Sequence, residues 1–176
     1  MANTKKIRVW DVPTRLFHWT LVVLFIVSWV SAEIGGTAMQ YHFWSGYTVL
    51  TLVLFRILWG LFGSETARFT HFVRGPGAAW RYMRGLFSPV YAATLGHNPL
   101  GAWSVLFMLL LLLTQAGTGL FSNYDIASEG PLYHLVSKEL SDSLTQIHHL
   151  SFNFLLALVG IHIAAILVYR LVHKEN

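Results

Sequence analysis

Four long apolar segments, separated by polar stretches, dominate the pattern of this chain. A helix that crosses a hydrocarbon layer of about 30 Å needs roughly 20 apolar residues. Segments of about this length cover residues 16–32, 43–62, 100–121 and 150–168, and Arg56 is the only formal charge inside them. The short alternating segments of a membrane barrel are absent. The pattern predicts an all-α integral membrane protein, a four-transmembrane-helix bundle in which residues 1–176 form a single domain.

Composition supports a membrane location. Apolar residues make up 55% of the chain and charged residues 11%, values typical of integral membrane proteins rather than soluble domains. Lys5, Lys6 and Arg8, followed by an apolar run ending in Val30-Ser31-Ala32, also resemble a secretory signal peptide. The run is longer than such peptides and begins with an aromatic-flanked histidine, His18, so we interpret it as the first span.

The distribution of Lys and Arg predicts the orientation, because basic loops stay in the cytoplasm. Eleven of the 12 basic residues fall at the two termini and around the second connection, and Lys138 alone falls on the opposite side. That opposite side also holds the acidic residues Glu33, Asp125, Glu129, Glu139 and Asp142. We therefore expect both termini in the cytoplasm and an acidic outer face. The basic pI is a topology signal and gives no reason to expect nucleic-acid binding.

The connections differ in character. The second, residues 63–99, contains a stretch over 76–87 in which aromatic residues alternate with Arg, and this predicts an amphipathic helix on the inner leaflet. The third, residues 122–146, is expected to be the main outward loop.

Histidines at both ends of the last apolar segment suggest a site within the membrane. An imidazole in lipid is costly unless it pairs or coordinates, so it indicates function. His148 and His162 are fourteen residues apart, which places them on one helix face about 21 Å apart along the axis. By depth, His42 lies level with His148 near the outer surface, and His18 lies level with His162 near the inner surface. Two His–His pairs are therefore predicted.

Bis-imidazole ligation suits haem held between facing helices of a bundle. Zinc or copper would favour three or four clustered ligands. The chain has no cysteine, which excludes covalent attachment of c-type haem, iron–sulfur clusters and disulfides. Any haem held by these pairs is therefore expected to be bound non-covalently.

Three further residues are candidates for haem binding. Gly46, one turn after His42, would let a porphyrin approach the backbone, as would Gly160 beside His162; ordinary close helix packing is the alternative. Arg15, one turn before His18, would pair with propionates of the inner haem, with a positive-inside anchor as its alternative. The other histidines, including His71, His97 and His149, fall in loops or at helix ends, where solvated imidazoles are common.

Three motifs, together with His148 and His162, make the chain resemble a known family. "VWDVPTRLFHW" (9–19), "FRILWGLFGSETARF" (55–69) and "GHNPLGAW" (96–103) resemble the bacterial cytochrome b561 family, including the b-type cytochrome subunit of nickel-iron hydrogenases. The resemblance covers residues 7–171 and implies a four-helix bundle in the bacterial inner membrane with two b haems. It also implies the ligand pairs His18 with His162 and His42 with His148.

The resemblance implies electron transfer between the quinone pool and a separate periplasmic redox protein, with the chain an electron-transfer subunit of an oxidoreductase. The acidic outer face favours a basic c-type cytochrome as partner, and a hydrogenase is also compatible.

Some relatives resemble superoxide:quinone oxidoreductases, but an acidic face would repel superoxide. A haem-free bundle with His as proton relays is a further alternative, although no span carries an acidic residue. A quinone or quinol site is expected near Arg68, His71 and His97, where lipid anchoring is the alternative.

Overall fold

The computed structural model describes residues 10–85, 98–124 and 128–171. Its helices are α1 (Val12–Ile34), α2 (Met39–Phe62), α3 (Phe69–Phe72), α4 (Pro76–Gly85), α5 (Pro99–Gly119) and α6 (Lys138–Leu171). Single 3-10 turns occur at Gly36–Ala38, Glu65–Ala67 and Tyr133–Leu135. Within the described residues, α1, α2, α5 and α6 are the helices long and apolar enough to cross a membrane. The predicted all-α membrane bundle is confirmed.

The last helix begins much earlier than its apolar pattern predicts. Helix α6 starts at Lys138 rather than 150. The predicted third loop, residues 122–146, is therefore helical from residue 138 onward. Ser137 precedes the first turn and its Oγ accepts a hydrogen bond from Leu140 N at 3.3 Å, which is an N-cap contact. The apolar segment marked only the part of α6 that crosses the hydrocarbon. His148 therefore lies well inside the helix.

The other helix ends differ from the predicted spans by a few residues. Helix α1 begins at Val12 rather than 16, because Asp11 caps it and Pro13 occupies its first turn. Helix α2 begins at Met39, so His42 lies in its first turn rather than before it. Helix α5 ends at Gly119 rather than 121. The amphipathic helix expected over 76–87 is present as α4 up to Gly85, and residues 86–87 lie outside the described residues.

A short hairpin that the sequence pattern did not predict lies at the end of the bundle opposite α3 and α4. We name the hairpin end the outer end and the α3–α4 end the inner end, after the predicted orientation. Strand β1 (Asn123–Tyr124) pairs antiparallel with β2 (Ser128–Glu129). The buried Asn123 side chain donates hydrogen bonds from Nδ2 to Ser141 Oγ at 2.5 Å and to Asp142 Oδ1 at 3.0 Å. The hairpin is thus tied to the first turns of α6.

The spanning helices pack in sequence, with α1 against α2, α2 against α5, and α5 against α6. Their shared core is a cluster of apolar side chains, namely Phe17, Val49, Val53, Leu109, Leu112 and Leu155. Helices α1 and α6 meet through aromatic rings: Phe25 stacks on Phe152 with centroids 6.1 Å apart, and Trp29 lies 5.8 Å from Phe152. The outward apolar side chains are exposed, as expected for surfaces that contact lipid.

Asp11 joins the inner ends of α1 and α2. Its carboxylate accepts hydrogen bonds from Thr14 N at 2.9 Å, from Trp59 Nε1 at 2.9 Å and from Ser64 Oγ. Partial burial alone would raise the pKa of this carboxyl, but the hydrogen bonds from Ser64, Thr14 and Trp59 outweigh burial and lower the pKa from 3.8 to about 2. The ionised form therefore stabilises the fold.

Asp11→Ala should lower the free energy of unfolding at pH 7 by about 1 kcal/mol for the lost cap and by roughly another 1 kcal/mol for the two cross-helix hydrogen bonds. Because the pKa of Asp11 is lower in the folded chain, its contribution is complete above pH 3.8 and is lost as the pH falls through about 2. Thermal unfolding in detergent should show that the difference in Tm between wild type and Asp11→Ala becomes smaller as the pH is lowered from 3.8 to about 2. Asp11→Asn, which keeps the cap, should lose less; equal losses in both variants would show that the cross-helix bonds dominate.

Candidate functional site

His42 and His148 face each other near the outer end of the bundle. Their ring centroids are 6.1 Å apart and their planes cross at 75°. Two imidazoles that share one metal through bonds of about 2 Å have centroids roughly 6 Å apart. Helix α2 provides one ring and α6 the other, as the depth argument expects. The two imidazoles are thus at the spacing of a shared metal ligand pair.

His42 is oriented by helix α1. Its Nδ1 lies 2.9 Å from the Ser28 carbonyl oxygen and 3.2 Å from Ser28 Oγ. A carbonyl only accepts, so Nδ1 carries the proton and Nε2 is the nitrogen with a free electron pair. A metal-binding histidine commonly donates its other ring N–H in this way, which fixes its tautomer and rotation.

His148 is oriented by helix α5. Its Nδ1 lies 2.8 Å from the Gln115 carbonyl oxygen and therefore donates. Its Nε2 accepts from the Gln115 side-chain amide at 3.0 Å, and Gln115 Oε1 accepts from Ser151 Oγ at 2.6 Å. A metal at Nε2 would take the place of the Gln115 amide, so Gln115 would have to turn away when the metal binds.

A cavity of about 610 Å³ opens beside the two imidazoles. Its lining includes the aromatic residues Phe25, Trp29 and Phe152 and the glycines Gly46 and Gly119. A Cβ at Gly46 would meet nothing within 4 Å, whereas one at Gly119 would lie 3.0 Å from His148 Cε1. Gly119 therefore lets the His148 ring lie against α5. The volume and mostly apolar lining are those of a site for an organic cofactor.

Four contributors to this site escaped the sequence interpretation: Ser28, Gln115, Gly119 and Ser151. Gln115 is a polar residue in the middle of an apolar span, and that signal could have found it. Ser151 lies three residues after His148, on the adjoining face. Ser28 acts mainly through its backbone carbonyl, which no side-chain pattern reveals.

The predicted inner pair lies on the far side of the Phe25–Phe152 contact. His18 is exposed on α1, with Trp19 edge-on at 5.2 Å, and His162 is half-buried on α6. The two imidazoles lie within range of each other's charge. From the aromatic contact, His18 is about 10 Å and His162 about 15 Å further toward the inner side along their helices. Both therefore lie toward the end of the bundle where α3 and α4 are found.

The remaining candidate residues are more open. Arg15 and Gly160 are exposed, and a Cβ at Gly160 would meet nothing within 4 Å. His71 is exposed and its Nδ1 lies 3.9 Å from Glu65 Oε1. Arg68 is exposed just before α3, and His97 lies outside the described residues. His149 borders the outer cavity beside His148, with ring centroids 6.1 Å apart.

Within the described ranges, no three His, Asp or Glu side chains gather in the manner of a protein-only metal centre. The outer site instead provides two facing imidazoles and a large apolar cavity, an arrangement suited to a metal that brings its own equatorial ligands.

The sequence model of one protein family, described as prokaryotic cytochrome b561, matches residues 9–176. No curated protein and no solved structure matches the chain. The match covers all four spanning helices and both histidine pairs. The chain belongs to the prokaryotic cytochrome b561 family, and is thus a membrane-embedded b-type cytochrome that takes part in transmembrane electron transfer.

Proposed function

We propose that this cytochrome holds two b haems and carries electrons across the membrane between the quinone pool and a periplasmic redox partner. The observation that carries the proposal is the facing of His42 and His148 beside a cavity of about 610 Å³. Each imidazole has its Nδ1 bonded to a backbone carbonyl, so Nε2 of each carries the electron pair that an axial ligand needs. For His148 this requires the Gln115 amide, now bonded to Nε2, to turn away.

The outer site fits a b haem. The cavity is large, bordered by Phe25, Trp29 and Phe152, and open at Gly46 where a side chain would intrude. A b haem supplies a one-electron iron couple, and the surrounding residues tune its potential through burial and hydrogen bonds. His42 and His148 are its proposed ligands, with Gly46 allowing close approach of the porphyrin.

The inner haem is proposed to bind between His18 and His162. His162 lies fourteen residues after His148 on the same face of α6, which separates the two proposed sites by about 21 Å along the helix. The Phe25–Phe152 stack lies between them. The porphyrin edges of the two proposed haems would be much closer to each other than their irons are. An electron could therefore pass from one haem to the other and cross most of the membrane within this chain. Arg15, one turn before His18, is proposed as a propionate partner.

The proposed orientation places both termini in the cytoplasm of a bacterial inner membrane. Arg15, Arg68, Arg74, Arg81 and Arg84 are at one end of the bundle with α3 and α4. The other end presents Glu33, Glu129, Glu139 and Asp142, while Asp125 lies outside the described residues. Lys138 is at this outer end too, and its Nζ pairs with Asp142 at 3.1 Å. Positive-inside charge bias supports this orientation.

An acidic outer end favours a positively charged electron-transfer partner, such as a basic c-type cytochrome. A periplasmic hydrogenase remains compatible, because its docking need not depend on the sign of this charge. The same acidic residues would repel superoxide, which disfavours superoxide:quinone oxidoreductase activity. Membership of a cytochrome family disfavours the haem-free proton-relay alternative.

Quinone is proposed to react at the inner end, close to the inner haem. Arg68, just before α3, and His71, within α3, are exposed there, where an interfacial headgroup would reach them. His97 is the third predicted residue of this site.

The histidine pairs predict how haem is lost on mutation. Purified wild type should contain two non-covalent b haems per chain in a pyridine haemochrome assay. His148→Ala and His162→Ala should each reduce this to one, because each removes one axial ligand of a different haem. His149→Ala, a neighbouring imidazole outside the proposed ligand set, should retain both. Two haems in both ligand variants would refute the assignment.

Gly46→Leu should reduce the haem content of the outer site, because the added side chain would project into the cavity beside His42. Gly117→Leu is the matched control: a Cβ at Gly117 also meets nothing within 4 Å, and this residue is not part of the cavity wall. Haem per chain should fall toward one in the first variant and remain at two in the second. Equal haem loss in both would indicate a general packing defect.

Electron exchange with a basic cytochrome c should slow as salt is added, because screening shortens the range of charge steering to about 8 Å at physiological ionic strength. Glu139→Lys, at the outer end, should slow the exchange severalfold at low salt and converge with wild type at high salt. Glu65→Lys makes the same charge change at the inner end and should have little effect. Stopped-flow spectroscopy measures these rates; faster exchange with salt would contradict an acidic docking face.

A further inference from the structure

Two buried polar groups near the inner end of the bundle have donors without acceptors. Arg56 is 3% exposed and Thr14 is 6% exposed. Among the described residues, Arg56 Nη1 and Thr14 Oγ1 have no hydrogen-bond partner. A buried guanidinium nitrogen and a buried hydroxyl without partners are both costly in an apolar environment. Their presence points to an acceptor that the described residues, 10–85, 98–124 and 128–171, do not provide.

The surroundings of Arg56 account for only part of its guanidinium. Nη2 donates to the Ala67 carbonyl at 3.2 Å, and the group lies 4.9 Å from the centroid of the Phe69 ring. Gly60 makes this possible, because a Cβ there would overlap the Phe69 ring that packs against α2. These contacts hold the guanidinium in one place. They leave Nη1 directed at no acceptor.

The nearest carboxylate is already engaged. Asp11 influences Arg56 electrostatically, but its oxygens accept from Thr14 N, Trp59 Nε1 and Ser64 Oγ. Counting the part of the chain that the structure describes, the site therefore has a cation, a hydroxyl without a hydrogen-bond partner and no directly bonded anion. Such a donor set suits a carboxylate, which accepts charge-assisted hydrogen bonds from Arg.

The helix register places these two donors at one depth. Asp11 at the start of α1 is bonded to Trp59 on the antiparallel helix α2. Thr14 lies three residues after Asp11 on α1, and Arg56 lies three residues before Trp59 on α2. Both are therefore about 4.5 Å deeper in the membrane than the Asp11–Trp59 contact, and they are level with each other. His18 follows Thr14 by four residues and so lies on the same face of α1, about 6 Å deeper.

We propose that Arg56 and Thr14 bind a propionate carboxylate of the haem held at His18 and His162. This inference rests on the proposed inner haem, and it adds a buried anchor to the exposed Arg15. The carboxylate would lie one turn to the cytoplasmic side of His18 and would satisfy Nη1 and Oγ1 together. Arg56 is then a positioning residue that also places a fixed positive charge near the iron.

Redox titration of the purified dihaem protein tests this. The inner haem is identified as the one-electron component that His162→Ala removes. Arg56→Gln should lower the midpoint potential of that component, because a nearby cation favours the reduced iron. The expected change is on the order of tenfold in the reduction equilibrium, or ~59 mV for one electron. Arg56→Lys keeps the positive charge but loses the paired N–H donors of the guanidinium, and it should shift the midpoint potential less.

Two matched variants complete the test. Thr14→Val removes the hydroxyl at nearly constant shape and should weaken retention of the inner haem during detergent washing. Arg74→Gln removes an exposed charge on the same side of the bundle and should leave the potential unchanged.

The outcomes separate this inference from the proposed function. An inner haem whose potential is the same in wild type, Arg56→Gln and Arg56→Lys would overturn the propionate assignment while leaving the dihaem proposal intact. An unchanged potential with a raised apparent KM for quinone would overturn it too and assign the donors to the quinone headgroup. Absence of any component sensitive to His162→Ala in wild type would instead refute the inner haem itself.

Discussion

A polar group inside the hydrocarbon layer must find a partner in the protein or in a group that the protein binds, because lipid offers none. This constraint governs the whole bundle. Many hydroxyls on the spanning helices bond to the carbonyl one turn earlier, as Thr48, Thr51 and Thr118 do. The imidazoles of His42 and His148 instead bond to carbonyls of neighbouring helices. The latter contacts join α1 to α2 and α5 to α6, so the groups proposed to bind haem also determine how those helices are rotated against each other.

The two ends of the bundle satisfy this constraint differently. At the outer end, the histidine pair is supported by backbone carbonyls and by the Gln115–Ser151 contact, and residues of the β1–β2 hairpin border the cavity. At the inner end, Asp11 collects donors from α1, α2 and the following turn, while Arg56 and Thr14 keep unused donors. At the outer site, hydrogen bonds to the histidine ring nitrogens fix the imidazoles. At the inner site, Arg56 Nη1 and Thr14 Oγ1 are donors that we propose bind a haem propionate.

The aromatic contact between α1 and α6 separates these regions. Phe152 stacks on Phe25 and also touches Trp29, one turn below His148. All three rings also border the outer cavity. The cavity therefore lies on one side of this contact, and the inner histidines lie on the other.

The sequence by itself determined the four spanning helices, their proposed orientation and the helical faces on which His148 and His162 lie, because hydropathy, charge bias and helical period are local properties of the chain. Its motifs also indicated the family. It placed the start of α6 too late, since the polar first turns of that helix are stabilised by Ser137 and by the hairpin residue Asn123 rather than by apolar contacts. Only the tertiary structure decided that Ser28 and Gln115 orient the outer histidines, that Gly119 makes room for His148, and that Arg56 and Thr14 share one depth. Those relations depend on the rotation and register of one helix against another, and no pattern within a single helix specifies them.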